Sequence, residues 1–391
     1  MHIALIREWF DRLHGGAERY AVNLAYALRE RGHRVSVICD RWTPDDARGF
    51  EMIRVPFSRW LGPFAYERWA AATAQAAQRL MPDVTLALAR SLGGDVCRVG
   101  DLLQRAWVEA HWPARKRASK LRWAWRIRRR MALEDRVFAQ PWRRVIVEST
   151  LMSGWMREYF SLPDDRIALV PNGVDGGRFA PPSADQAAAA KVKLGLPCDA
   201  QVALFVSMDF RRKGLVAAAR GFCEAVKAAL PGRRKLMFFV AVGRGDGGII
   251  ERISRENALG AQLRVDARTA AIEGYYRAAD VLVHPSKVDP GANVVLEALS
   301  SGVPAIVSAN TGYRDAVENG RNGYVLARRD DEGEIGARIA DVFAGRASQF
   351  APSAVRAMSR LLTPQEHCDR IMEIISEAAE AKACRVAVRK D

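Results

Sequence analysis

Residues 281–302, VLVHPSKVDPGANVVLEALSSG, read as a buried strand, a loop and a helix whose first turn faces that loop. Val281, Leu282 and Val283 form a short apolar run suited to a strand covered on both faces. His284 and Pro285 end it; a histidine there more commonly packs than binds a ligand. Asp289, Pro290, Gly291 and Ala292 turn the chain tightly, and helical spacing follows over 293–300 with Val294, Leu296 and Leu299 as apolar positions. First-turn amides of a helix lack partners inside it, so this start suits an anion. Asp289 precedes it and Glu297 lies one turn in, so both carboxylates are expected to face one cleft. An anion cradle rimmed by carboxylates suits a polyhydroxy ligand that carries phosphate. The plainer reading is two surface carboxylates.

Strand and helix alternate on both sides of this stretch. The first 40 residues read as a strand, a loop with Gly15 and Gly16, a helix over 17–31 and a second strand, which is a βαβ start. The glycine pair serves either as a plain turn or as a place for backbone to approach a ligand. Further strands are expected at 84–88 and 144–150, the latter followed by a helix including 155–160. Asp101, after Gly100, is either a site carboxylate or a helix N-cap, the commoner use of such a residue. Pro171, Asn172 and Gly173 make a turn, and the Ala/Pro/Ser-rich run 180–190 reads as a linker or surface excursion. Alternation restarts with a strand at 202–207, a loop MDFRRKG, a helix over 215–230, and strands at 235–243, 304–308 and 323–326. Helices are also expected at 249–258, 272–279 and 313–318. A chain of 391 residues with 49% apolar residues is long enough for two cores. The pattern predicts an α/β protein of two Rossmann-like domains, with ligands at the carboxyl ends of the strands. The domains are expected at 1–172 and 173–362, with a helix in 363–391 crossing back to the first.

The formal net charge is +15, which favours an anionic partner. Residues 115–130, RKRASKLRWAWRIRRR, contain no acid, and Trp107, Trp112, Trp123 and Trp125 lie in or beside them. Three readings compete: an amphipathic helix on an anionic membrane with tryptophans as interfacial anchors, a nucleic-acid patch, or a solvated helix with tryptophans in the core. No nucleic-acid motif accompanies the charge, so no nucleic-acid partner is expected. Six cysteines are scattered without metal-like spacing and the histidines are dispersed, so no metal site is expected. No apolar run approaches the ~20 residues of a membrane span, and the chain opens on a strand rather than a signal-like segment. A reducing cytoplasm is the expected compartment, and the membrane reading of the basic run adds peripheral attachment to the inner face of the cytoplasmic membrane.

The segments GGAER (15–19), PNGVDGGRF (171–179), FRRKG (210–214) and DPGANVVLEALSSGVPAIVS (289–308) together resemble the retaining glycosyltransferases of the GT-B fold, family 4 (glycosyltransferase group 1). The likeness covers nearly the whole chain and extends to the lipopolysaccharide core glucosyltransferases, which have a loop like MDFRRKG and a basic membrane-associated segment. It implies two Rossmann-like domains facing a central cleft, the first for the acceptor and the second for a nucleotide sugar. It further implies a metal-independent hexosyltransferase without a cofactor, moving glucose from UDP-glucose to a glycan or glycolipid such as lipopolysaccharide core. By the same resemblance Glu297 bonds the ribose, Asp289 lies beside the transferred sugar, and amides of Gly291, Ala292, Asn293 and Val294 meet sugar and phosphate. Lys213 with Arg212 neutralises the diphosphate, Gly15 and Gly16 let the first domain close over it, and Asp101 stands near the acceptor and the reacting carbon. Asp101, Asp289 and Lys213 are thus the candidate catalytic residues. Two positions depart from the family: Asp289 replaces the first glutamate of E-x7-E, and Met208 stands where many members carry Arg. Those departures leave a second reading, a membrane-docked nucleotide-sugar or glycan-binding protein that has lost transfer.

Overall fold

A computed structural model describes residues 1–391 apart from 59, 61, 63, 345–360 and 389–391. The chain divides into two compact units, one of residues 1–171 with 365–391 and the other of residues 172–364.

The first unit is built on a seven-stranded sheet in the order Glu51–Arg54, Arg34–Cys39, His2–Ile6, Val84–Ala87, Val96–Val99, Arg144–Val147, Ile167–Leu169, with every pairing parallel. Strand order reverses direction between His2–Ile6 and Val84–Ala87, so the segments beginning at Arg7 and Leu88 emerge side by side. Helix Gly16–Glu30 buries Ala21, Val22, Leu24, Ala25 and Leu28, a stripe at helical spacing, against the strands. The C-terminal helix Pro364–Val388 belongs to this unit: Cys368, Ile371, Ile375 and Ala378 pack into the same core.

In the second unit a six-stranded parallel sheet runs Leu263–Ala267, Met237–Gly243, Gln201–Ser207, Val281–His284, Ala305–Ser308, Gly323–Leu326. Alternate residues of its strands enter two cores. Phe205, Phe239, Ala241, Val281 and Val283 lie on one face, and Leu204, Val240, Val242, Leu282 and Val307 on the other. Val281–His284 is central and fully buried, as a strand covered on both faces requires.

Several expectations are corrected. The run 180–190 is no linker: Ala184–Lys193 is a helix opened by a capping box in which Ser183 and Gln186 satisfy each other's amides. Alanine favours helix, and that preference outweighs the flanking prolines. MDFRRKG contains a one-turn helix, Phe210–Lys213, capped by Asp209 and ended by Gly214 at φ 87°. A Cβ at Gly214 would lie 2.2 Å from the Pro285 carbonyl oxygen, so only glycine fits this close approach. The helix expected at 313–318 is a 3-10 turn, Arg314–Ala316. Strands Glu51–Arg54 and Val96–Val99 and helix Phe64–Leu80 are additional elements. In helix Asn293–Ser300 the buried apolar face is Val295, Leu296, Ala298 and Leu299 rather than Val294.

The basic stretch forms two helices, Ala114–Trp123 and Trp125–Phe138, broken at Ala124. The first buries none of its residues, and Trp123 and Trp125 are 81% and 46% exposed. The reading that places these two tryptophans in a core is therefore wrong. Arg129 pairs with Glu67 at 2.6 Å and lies over the Phe64 ring, anchoring the second helix to its own unit.

Candidate functional site

In the second unit the central strand delivers His284 to its carboxyl end, where the ring packs against Phe205. Lys213 arrives from the turn after the neighbouring strand Gln201–Ser207, and the Asp289 carboxylate meets both. His284 Nε2–H donates to Asp289 Oδ2 at 2.9 Å, and the Lys213 ammonium pairs with the same oxygen. Asp289 and Lys213 side chains are only 6% and 12% exposed. The loop is held from below: Asp289 N donates to the Asn310 carbonyl, and Gly312 N donates to the Asp289 carbonyl at 2.7 Å. The hydroxyls of Ser286, Ser308 and Thr311 form a buried cluster beside it.

Burial opposes ionisation of Asp289, but Lys213 and the His284 N–H outweigh it and hold the carboxyl well below the usual carboxylate range. Burial lowers the basicity of Lys213, Asp289 raises it and Arg212 lowers it again, leaving it below an ordinary lysine. Burial likewise lowers His284 against the pull of Asp289, so the ring is neutral and Nε2 carries its proton. His284 Nδ1 is buried without a hydrogen-bond partner among the described residues.

The two carboxylates therefore do not share one open cleft. Asp289 turns inward to Lys213 and His284, since a buried carboxylate without a cation would be costly. Glu297, half-buried on helix Asn293–Ser300, accepts a hydrogen bond from the Tyr276 hydroxyl at 2.8 Å. That helix has no side-chain cap: its N-cap residue, Ala292, follows Gly291 and offers no oxygen. Asn293 accepts from the Asn172 side chain at 2.9 Å, and the Asn172 amide donates to the Tyr313 hydroxyl oxygen. Arg212 is engaged within its own loop, Nε donating to Asp209 at 3.0 Å and Nη1 to the Val288 carbonyl at 3.1 Å. Lys213 is thus the cation of this loop that reaches Asp289.

In the first unit Arg7 organises a second group. It follows strand His2–Ile6 and donates to the Leu88 carbonyl, Asp101 and Glu18 at 2.9, 2.9 and 2.7 Å. Asp101 is 37% exposed; burial raises its pKa, but Arg7 and Arg90 prevail and lower it. It caps no helix. The next helix begins at Gln104, whose amide is taken by buried Glu134, itself paired with Arg90 at 2.5 Å. The N-cap reading of Asp101 is thereby overturned. A Cβ on Gly15 would lie 2.5 Å from Glu18 Oε2, so glycine there leaves room for Glu18 to reach Arg7, whereas Gly16 faces open space. Sequence reading missed Arg7, Glu18, Asn172, Tyr276 and the role of His284. A polar residue at the carboxyl end of a strand was the available signal: Arg7 directly after His2–Ile6 and His284 as the last residue of Val281–His284. Among the described residues no cluster of three His, Cys, Asp or Glu could hold a metal, and no helix is long and apolar enough to cross a membrane.

The sequence models of two families match: the one described as Glycosyltransferase Family 4 over residues 14–178, and the one described as Glycosyl transferases group 1 over 200–344. The chain is 31% identical to the D-inositol 3-phosphate glycosyltransferase of Acidothermus cellulolyticus over 53% of its own length, spanning half of that relative. It is 23% identical to the lipopolysaccharide glucosyltransferase WaaG of Escherichia coli, over 80% of this chain and 82% of that one. The crystal structure of a WaaG superposes with a TM-score of 0.81 at 18% identity, covering 95% and 99% of the two chains. Anabaena HepE, solved with UDP and glucose, superposes with a TM-score of 0.70 at 17% identity over 96% and 99%.

Proposed function

Because the chain belongs to the GT-B glycosyltransferases, with a Family 4 region followed by a group 1 region, we propose that it transfers glucose from UDP-glucose to a membrane-associated glycan, with lipopolysaccharide core as the first candidate. The observation that carries this reading is the ammonium of Lys213, held by Asp289, which His284 orients, in the loop that leads to an uncapped helix start. Breaking the bond between the anomeric carbon and phosphate sends its electron pair to the phosphate oxygen. The departing diphosphate gains negative charge, and groups already in place lower its energy without reorganising. One helix terminus contributes about 0.3–2 kcal/mol. A charge-assisted hydrogen bond from Lys213 adds roughly 1.5–3 kcal/mol. The amides of residues 291–294 and Lys213 therefore act together.

In this mechanism Glu297, oriented by Tyr276, accepts the ribose hydroxyls. Asp289 acts mainly by holding Lys213, and lies beside the transferred sugar. Asp101, held by Arg7, lies at the acceptor. The acceptor oxygen bonds to the anomeric carbon on the face the phosphate leaves, and its proton passes to the leaving phosphate oxygen. Configuration is retained. The protein works on the inner face of the cytoplasmic membrane, docked through residues 115–130, with exposed Trp123 and Trp125 as anchors and about 1 kcal/mol per basic residue near an anionic surface.

The inward-turned Asp289 favours one further reading, a nucleotide-sugar-binding protein without transfer. Calorimetric titration with UDP tests the shared first step: binding is expected for the native chain, weakened about tenfold in Glu297→Gln, as one charge-assisted bond warrants. Equal affinity in both proteins would remove Glu297 from the donor site. For docking, flotation with anionic vesicles should be lost on replacing Arg126, Arg128 and Arg130 by Ser, leaving Arg129 to hold Glu67. Flotation that survives would exclude the segment.

A further inference from the structure

A cavity of about 880 Å³ opens in the second unit beside the Lys213 loop. It is lined by segments that follow three strands of the sheet and by the residues just before helix Glu332–Phe343. Four cations border it: Arg211, Arg244, Lys287 and Arg329. None of their side chains makes an ion pair or hydrogen bond among the described residues, although the chain's other cations commonly find acids. The acids of the same wall are differently placed. Asp209 accepts from Arg212, Glu332 pairs with Arg220, and Asp246 accepts from the Gly248 amide, which leaves Asp330 alone uncommitted. Lys287 is half-buried, and burial together with Arg329 and Arg211 lowers its basicity against the opposing pull of Asp209. Leu215, Val216 and Ile249 give the cavity an apolar floor.

We propose that this cavity binds a phosphoryl-bearing small molecule, its phosphoryl group between Arg211, Lys287 and Arg329 and its organic part on the apolar floor. The pocket is built as ligand sites commonly are, largely apolar with a few convergent polar groups. It is not the seat argued for the donor: Lys213, Asp289, residues 291–294 and Glu297 are absent from its wall. Guanidinium groups suit the ligand because they present paired donors to phosphate oxygens. Two sources share that chemistry, a separate phosphorylated metabolite and the diphosphate of a nucleotide.

Calorimetric titration of the full chain with inorganic pyrophosphate, alone and under saturating UDP, tests the proposal. Binding should persist with UDP present and weaken at least ~10-fold in Lys287→Gln/Arg329→Gln, the least expected from losing two charge-assisted contacts. UDP affinity should change by less than about twofold in that variant, since neither residue touches the argued donor seat. Pyrophosphate binding that UDP abolishes would assign the anion to the donor site and overturn the proposal, as would undiminished binding in the double variant. Should the double variant unfold, exposed Arg211→Gln provides the same reading, weaker binding supporting the site and equal binding opposing it. Comparing variants without UDP reads the cavity even if the donor assignment fails.

Discussion

Replacing Asp289 by Asn keeps the shape of the side chain and removes its charge, leaving Lys213 without a counter-ion at a position only 12% exposed. Breaking a buried ion pair by removing one partner costs about 3–5 kcal/mol, because the remaining charge stays desolvated. For a unit of this size each 1 kcal/mol moves the melting temperature by about 2–4 °C. The second unit should therefore melt about 6–20 °C lower in Asp289→Asn at neutral pH. The pH dependence carries a sign. Asp289 titrates below its ordinary value in the folded protein, so its contribution is full above the unfolded carboxylate pKa and fades as pH falls through the folded value. The difference between native and variant protein should thus hold from neutral pH to about 5 and shrink below about 4. On the alkaline side the variant should recover: Lys213 already lies below an ordinary lysine in the native protein, and losing the raising influence of Asp289 lowers it further, so it sheds its charge as pH rises. Differential scanning calorimetry from pH 3 to 10 measures all three features. A variant melting within 2 °C of the native protein throughout that range would refute a buried, ionised pair.

Tyr276→Phe removes the hydroxyl that orients Glu297 while leaving the ring in the core, so KM for the donor should rise about 5- to 10-fold with kcat nearly unchanged, by steady-state kinetics. Gly15→Ala places a methyl where Glu18 Oε2 lies and displaces that carboxylate from Arg7; turnover, measured by steady-state kinetics, should fall. Ser183→Ala removes the capping box of helix Ala184–Lys193 and should cost about 1 kcal/mol in urea unfolding, whereas Ser183→Asp should restore it.

How much of this was legible depended on range. Local signals carried the βαβ start, strand Val281–His284 and helix Asn293–Ser300, whose apolar runs, Pro and Gly lie within a few residues of one another. The same local reading failed at Ala184–Lys193, because an Ala-rich segment has little contrast between faces, and at the edge strand Glu51–Arg54, where only four residues carry the pattern. Partners remote in sequence were not legible. Arg7 and Asp101 are 94 positions apart, and Asn172 and Asn293 are 121 apart. Only the fold brings such residues together: Arg7 and Asp101 follow strands His2–Ile6 and Val96–Val99, which flank Val84–Ala87 in the sheet. Asp289 is the instructive case: its placement before a helix start was evident, but its direction was not. Whether that carboxylate looks outward or toward Lys213 depends on a lysine 76 residues earlier, delivered by the neighbouring strand.

The central claim is sugar transfer from a nucleotide donor stabilised by Lys213. The most direct measurement is the turnover of the purified chain with a panel of nucleotide sugars and a lipopolysaccharide-core acceptor, native protein beside Lys213→Met. The account predicts glucose transfer from UDP-glucose, with kcat falling about 100- to 1000-fold in the variant while the acceptor KM holds. No transfer from any donor by the native protein, or equal turnover in the variant, would contradict it.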